Sequence, residues 1–207
     1  MRLFVILILG LSFIGCKKGK GEFTLKGNIS DKTFNTSHTG AVVKLYQVPV
    51  GTTDLQLIGT QTLGSDGNYS FTFPRDKMER YVLKASKDLY FDINENIYFS
   101  TMTLKEDNVR NFGTTAKSWV NLRFINASPS SVSDFLAFTK QDGKVDCEEC
   151  CSKDQQNLYG IIDTSIICVN DGNTMYSYFY YLSGTSNNGI KSVITTAFDT
   201  TELLLQY

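Results

Sequence analysis

The chain has 207 residues, 42% of them hydrophobic and 13% aromatic, enough apolar material for one large or two small buried cores. Its formal charge of −1 conceals an asymmetry, because Arg2, Lys17, Lys18 and Lys20 sit at the amino end beside a single acid, Glu22, and leave 16 basic against 20 acidic groups, a net of −4, for the rest. A surface of that sign is unsuited to a phosphate backbone, and nucleic-acid binding is set aside.

The first feature in chain order is a leader. Met1 and Arg2 precede an apolar run from Leu3 to Ile14, which stops at Gly15 and Cys16 and gives way to Lys17, Lys18 and Lys20. A membrane-spanning helix needs roughly 20 apolar residues, so the run is too short to span and reads as a signal peptide over 1–15. The segment "FIGC" resembles the lipobox of bacterial lipoproteins, with Phe13 where leucine is usual. The resemblance implies that the Cys16 thiol is acylated, that the leader is cut before it, and that the lipids hold the chain in a bacterial envelope, with the outer membrane expected. A plain secretory leader with a coincidental cysteine is the alternative. Residues 16–22, mostly Lys and Gly, read as a flexible tether without the acidic run that would resemble a surface-export tag.

Beyond the tether the period is two. "FTLKGNI" places Phe23, Leu25 and Ile29 on one face, and "AVVKLYQ", "LQLIGTQT", "NYSFTF" and "YVLKA" continue the alternation, with Tyr69, Phe71 and Phe73 pointing one way. "NTSHTG", "PVGTTD", "GSDG" and "PRDK" supply turns between them. No window has the apolar period and caps of an amphipathic helix, so an all-β, antiparallel chain is expected.

The succession "GNISD", "TGAVVKLY", "SDGNYSFTFP" and "YVLKA" resembles the transthyretin-like sandwich, the regulatory-like domain of carboxypeptidases and of many bacterial surface proteins, from Phe23 to about Ala85. Asp66-Gly67 supplies a tight turn with a left-handed glycine, and the aromatics after it alternate into the sandwich. The glycine usual before the Tyr81 strand is replaced by Met78, Glu79 and Arg80. The resemblance implies a non-catalytic module for stability, spacing or contact, and it carries over no functional residues.

A polar stretch, "KEDNVRNFGTTAKS", separates this region from further strands. "WVNLRFINASP" aligns Val120, Leu122 and Phe124; "DFLAFTK" turns through Gln141-Asp142-Gly143 into "KVDC"; "SIICV" turns through Asn170-Asp171-Gly172 into "TMYSYFYYL"; "IKSVITTAF" and "ELLLQY" follow. Both turns predict hairpins. The expected architecture is two tandem sandwiches of transthyretin-like or immunoglobulin-like type, 23–113 and 114–207, with one extended sandwich as the alternative.

Four thiols remain beside Cys16: Cys147, Cys150 and Cys151 in "CEECC", and Cys168. Zinc sites usually draw on two paired clusters, and an exported chain meets an oxidising compartment, so disulfides are the preferred reading over zinc or free thiols. Cys147-Glu-Glu-Cys150 also has the spacing of a redox motif, without the βαβ setting that activates one. Adjacent Cys150 and Cys151 pair only through a strained peptide, which leaves Cys168 bonded to Cys150 or Cys151 and Cys147 to the other.

Asp92-Ile-Asn94-Glu-Asn96 imitates the opening of a calcium loop but has Ile97 where glycine is required and Thr103 where glutamate should stand. It reads instead as a solvated loop, and no metal or cofactor is expected. The single histidine, His38, lies in a turn-rich loop, and the carboxylate pairs Glu148-Glu149 and Glu106-Asp107 lie in loops as well; no nucleophile elbow or phosphate loop accompanies them. In "MYSYFYYL", Tyr176, Tyr178 and Tyr180 share one strand face while Phe179 and Tyr181 take the other. Packing within a sheet accounts for such a strand; a sugar ring or partner protein against Tyr176, Tyr178 and Tyr180 is the functional reading.

The sequence therefore predicts a non-enzymatic lipoprotein of a bacterial envelope, a binding or structural module held by the lipid on Cys16. The alternative is a glycan-binding accessory of a nutrient-uptake system, and a hydrolase built around His38 is a weaker third.

Overall fold

Alternating apolar and polar residues give a structure that is nearly all β. The computed structural model describes residues 21–126, 134–147 and 149–207, with no α-helix among them. Strand β1 (Glu22–Asp31) buries Phe23, Leu25 and Ile29, and it pairs with β2 (Thr36–Ser37) and antiparallel with β5 (Asn68–Pro74). The facing sheet has the order β4 (Gln56–Thr62), β3 (Val42–Pro49), β6 (Met78–Ser86) and β7 (Ile93–Tyr98). Tyr69, Phe71 and Phe73 from the first sheet meet Val43, Leu45, Tyr81 and Leu83 from the second in one apolar core. Met78 opens β6 opposite Pro49 across a register shift, which is how the corner forms without the usual glycine.

A second pair of sheets has its own core. One is β13 (Ile162–Asp171), β10 (Lys117–Asn126) and β16 (Thr200–Gln206); the other is β12 (Gln156–Tyr159), β11 (Phe135–Asp142), β14 (Met175–Leu182) and β15 (Asn188–Ile194). Val120, Leu122, Phe124, Leu203 and Leu205 pack against Leu136, Phe138, Tyr176 and Tyr178. This is sheet-on-sheet packing, in which the two inner faces interdigitate.

Several expectations need correction. The sheets are not wholly antiparallel: β8 (Asn108–Val109) and β9 (Phe112–Thr114) run parallel to β1, and β16 runs parallel to β10. Two of these strands lie in the stretch read as merely polar. Asn170-Asp171-Gly172 makes no hairpin, because β13 and β14 belong to different sheets and the chain arches between them. Its left-handed residue is Asn173 (φ 59°), and Gly172 is required by space, since a Cβ there would lie 2.6 Å from Ala197 Cβ. Asp66-Gly67 is likewise an arch between β4 and β5; its glycine is left-handed as expected (φ 69°). Among the described residues after Gln141-Asp142-Gly143 no strand follows until Gln156, so "KVDC" belongs to the cysteine loop. The stretch imitating a calcium loop is β7, a paired strand with Ile93 and Ile97 buried.

Gly27 is where sequence and packing are most tightly coupled. Between β8 and β9 the ladder is interrupted but the chain stays on β1: Arg110 donates its N–H to Lys26 O, and the Arg110 carbonyl occupies the space above Gly27, where it accepts the Tyr69 hydroxyl at 2.7 Å. A Cβ on Gly27 would lie 1.6 Å from that oxygen. Gly27→Ala therefore has to displace backbone, and a loss of about 2–4 kcal/mol in urea unfolding is expected. An unchanged midpoint would show that the β8–β9 crossing is not held there.

Candidate functional site

The two sandwiches meet through Thr115, Ala116 and Lys117. Thr115 O accepts the Phe91 N–H (3.1 Å), and Lys117 donates its N–H to Leu89 O (2.7 Å), which ties the linker to the first sandwich like an added strand. Ala116 donates to Thr33 Oγ1 (2.9 Å) on that side and accepts the Gly172 N–H (2.8 Å) from the other. Lys117 O accepts the Phe198 N–H (2.8 Å), and the Thr115 hydroxyl donates to Asp171 Oδ1. Each of the three residues is thus bonded to both bodies.

On one side of this linker lies an aromatic clasp around a buried carboxylate. Asp31, at the end of β1, accepts the Thr33 and Phe34 N–H groups on Oδ1 and the Tyr90 hydroxyl on Oδ2 at 2.7 Å. Burial, and next the hydrogen bond to Asp31, push the Tyr90 hydroxyl well above its ordinary pKa. The Tyr90 ring meets His38 edge-on at 4.5 Å and Phe198 at 5.3 Å, and Phe198 stacks on Phe34.

On the other side is a cleft of about 1150 Å³. Phe91 lines it, with Lys144 Nζ 4.0 Å and Lys117 Nζ 5.5 Å from the ring centre. Each ammonium also has a carboxylate: Lys144 lies 2.8 Å from Asp171 Oδ1, and Lys117 lies 3.1 Å from Glu149 Oε2. A cation over an aromatic face is attracted by the ring quadrupole, so Phe91 and Lys144 join the sandwiches by charge as well as by packing. The cleft is a charge-compensated brace.

The candidate residues of the sequence fall elsewhere. Tyr176 and Tyr178 are 1% and 0% exposed and fill the second core, Tyr178 against Phe124 and Phe138. The face assigned to a ligand is therefore the face turned inward, with Tyr180 half-buried at its end. The outward aromatics are Phe179 and Tyr181, the latter beside Phe135, which also meets Tyr159 at 5.4 Å. His38 is 2% exposed, not the residue of an open loop. The thiols form Cys147–Cys150 and Cys151–Cys168, with Cys168 buried below Tyr176. Among the described residues no three His, Cys, Asp or Glu side chains gather as a metal site. Cys16 and Glu148 lie outside the described residues, and Asp107 pairs with Lys26.

Phe91, Lys144 and the Asp171 carboxylate were not singled out for a junction by the sequence, because nothing local marks them. Buried Lys140 is another such residue: its ammonium donates to Lys144 O and to Cys151 O (2.9 Å), pinning both ends of the cysteine loop. Burial, and then repulsion from Lys153, lower its pKa.

The clasp has a pH signature. Burial foremost, and the Lys87 ammonium next, hold the His38 pKa below 6.5 despite the opposing Asp31 charge. The unfolded chain then takes up a proton that the folded chain refuses, so stability is full above about pH 6.5 and falls as pH drops below it. Melting temperature should decline more steeply between pH 6.5 and 5 in the native chain than in His38→Leu, and equal slopes would remove His38 as the cause.

No family model matches the chain, and no curated protein matches it. Among solved structures it is similar to the minor pilin GBS52 of Streptococcus agalactiae, at 13% identity over 89% of this chain and 94% of that one, with a TM-score of 0.37. It is also similar to the Bacillus anthracis TIE protein, at 11% identity over 90% of this chain and 34% of that one, TM-score 0.35. A DUF3823 family protein from Bacteroides uniformis is 7% identical over 87% of this chain and all of that one, TM-score 0.31. Likenesses this distant carry no argument about function.

Proposed function

We propose that the chain is a non-enzymatic envelope lipoprotein that acts as a stiff structural module, two β-sandwiches carried by a lipid on Cys16. The observation that carries this reading is the linker, whose three residues each bond to both bodies. Inter-domain motion is the default where a linker is free, and a linker hydrogen-bonded on both sides removes it. Residues that could have performed chemistry are committed to structure: His38 is buried against Tyr90, Tyr176 and Tyr178 fill a core, and four cysteines are bonded in pairs. The amino-terminal sequence up to Cys16 supports the anchor.

Stiffness is measurable. Spin labels on Thr53→Cys and Ser186→Cys, two exposed positions on different sandwiches, should give one narrow distance distribution, and a broad distribution would sink the spacer reading. The anchor has a separate test: a fatty-acid probe should label the native protein in cells, and Cys16→Ala should lose the label and leave the membrane fraction. A labelled Cys16→Ala protein would exclude that residue as the lipid site.

A further inference from the structure

We propose that the pole of the first sandwich where β1 begins rests on the bilayer, with Val50, Leu55, Tyr98 and Leu104 in contact with lipid. The inference rests on the reading that Cys16 carries the anchor, and it adds the surface that meets the membrane. Five residues, Cys16 to Lys20, precede Gly21, and fully extended they reach roughly 18 Å. Gly21 is fixed at this pole: its carbonyl accepts the Arg75 N–H at 2.8 Å, and the position its Cβ would take is 3.0 Å from Leu104. A lipid on Cys16 therefore holds the pole close to the headgroups.

The side chains presented there suit that position. Val50 and Leu55 flank the loop joining β3 to β4, Tyr98 ends β7, and Leu104 follows the short turn after it. They are 54%, 42%, 54% and 49% exposed. At the same pole Phe23 meets Phe73, Tyr81 and Phe99 edge to face, and Phe73 and Tyr81 lie tilted at 4.9 Å, so the apolar tips stand on a firm base. Charges on the pole itself are mixed, Arg75, Lys77 and Lys105 against Asp54, Glu79 and Glu106, so its folded surface is not a basic patch; Lys17, Lys18 and Lys20 belong to the tether. Contact by apolar and tyrosine side chains adds a second attachment to a lipid anchor and fixes orientation. From this pole β1 runs ten residues, roughly 33 Å, to Asp31 at the junction, so the second sandwich points away from the membrane.

The test uses the full chain purified from the envelope and reconstituted in phosphatidylcholine vesicles with brominated acyl chains. Tryptophan emission at Leu55→Trp, and independently at Tyr98→Trp, should fall about twofold relative to unbrominated vesicles, as for side chains at the acyl boundary, while native Trp119 keeps its emission. Unquenched tryptophan at both positions in a chain that carries the fatty-acid label overturns this inference alone. Quenching that appears only with phosphatidylglycerol overturns the apolar contact. A chain without the label overturns the anchor reading, and this inference with it.

Discussion

The doubly bonded linker is the constraint from which the rest of the molecule follows. Thr115, Ala116 and Lys117 act at once as an added strand for the first sandwich and as a docking edge for the arches of the second. Ala116 is buried and Thr115 and Lys117 are partly so, and an amide or carbonyl left buried without a partner costs about 1–3 kcal/mol. Separating the bodies would break all of these bonds at once and uncover Ala116, so no one of them can be lost alone without leaving its partner inside the junction. The clasp around Asp31 on one side and the Phe91 brace on the other then oppose rotation about the linker, one by packing and the other by charge.

Much of the fold was legible because a half-buried strand writes its two faces into alternate residues. Tyr69, Phe71 and Phe73, or Val120, Leu122 and Phe124, could be assigned to a core without knowing what faced them. Sheet membership was not legible in the same way. A turn signal such as Asn170-Asp171-Gly172 says that the chain reverses, and an arch between two sheets requires the same residues as a hairpin within one. Strands as short as β8 and β9 contribute too few alternating residues to announce themselves, and their partner β1 lies far away in sequence.

The candidate site was less readable still. "MYSYFYYL" is aromatic on both faces, so the choice of inner face depends on Phe124 and Phe138, which reach Tyr178 only after folding. His38 sits among turn-formers, yet burial is decided by Tyr90, 52 residues on. Cysteine spacing restricted the disulfides to two pairings, and the arrangement found joins the loop to β13 through Cys151. Lys140 had no signature, since a lysine on a strand is ordinarily a solvated one.

The parallel pairings have a further meaning for how the molecule comes to exist. Each sandwich opens with a strand whose parallel partner is its last: Ile29 of β1 aligns with Phe112 of β9, and Trp119 of β10 with Thr200 of β16. More than eighty residues separate the members of each pair, so neither body can close until nearly all of it is present. Non-local pairing of this kind slows folding and leaves β1 and β10 with open edges in the meantime. The first body, completed at β9, presents the finished linker on which the second assembles. Growth of the chain from its amino end thus suits an order in which one sandwich is the template for docking the next.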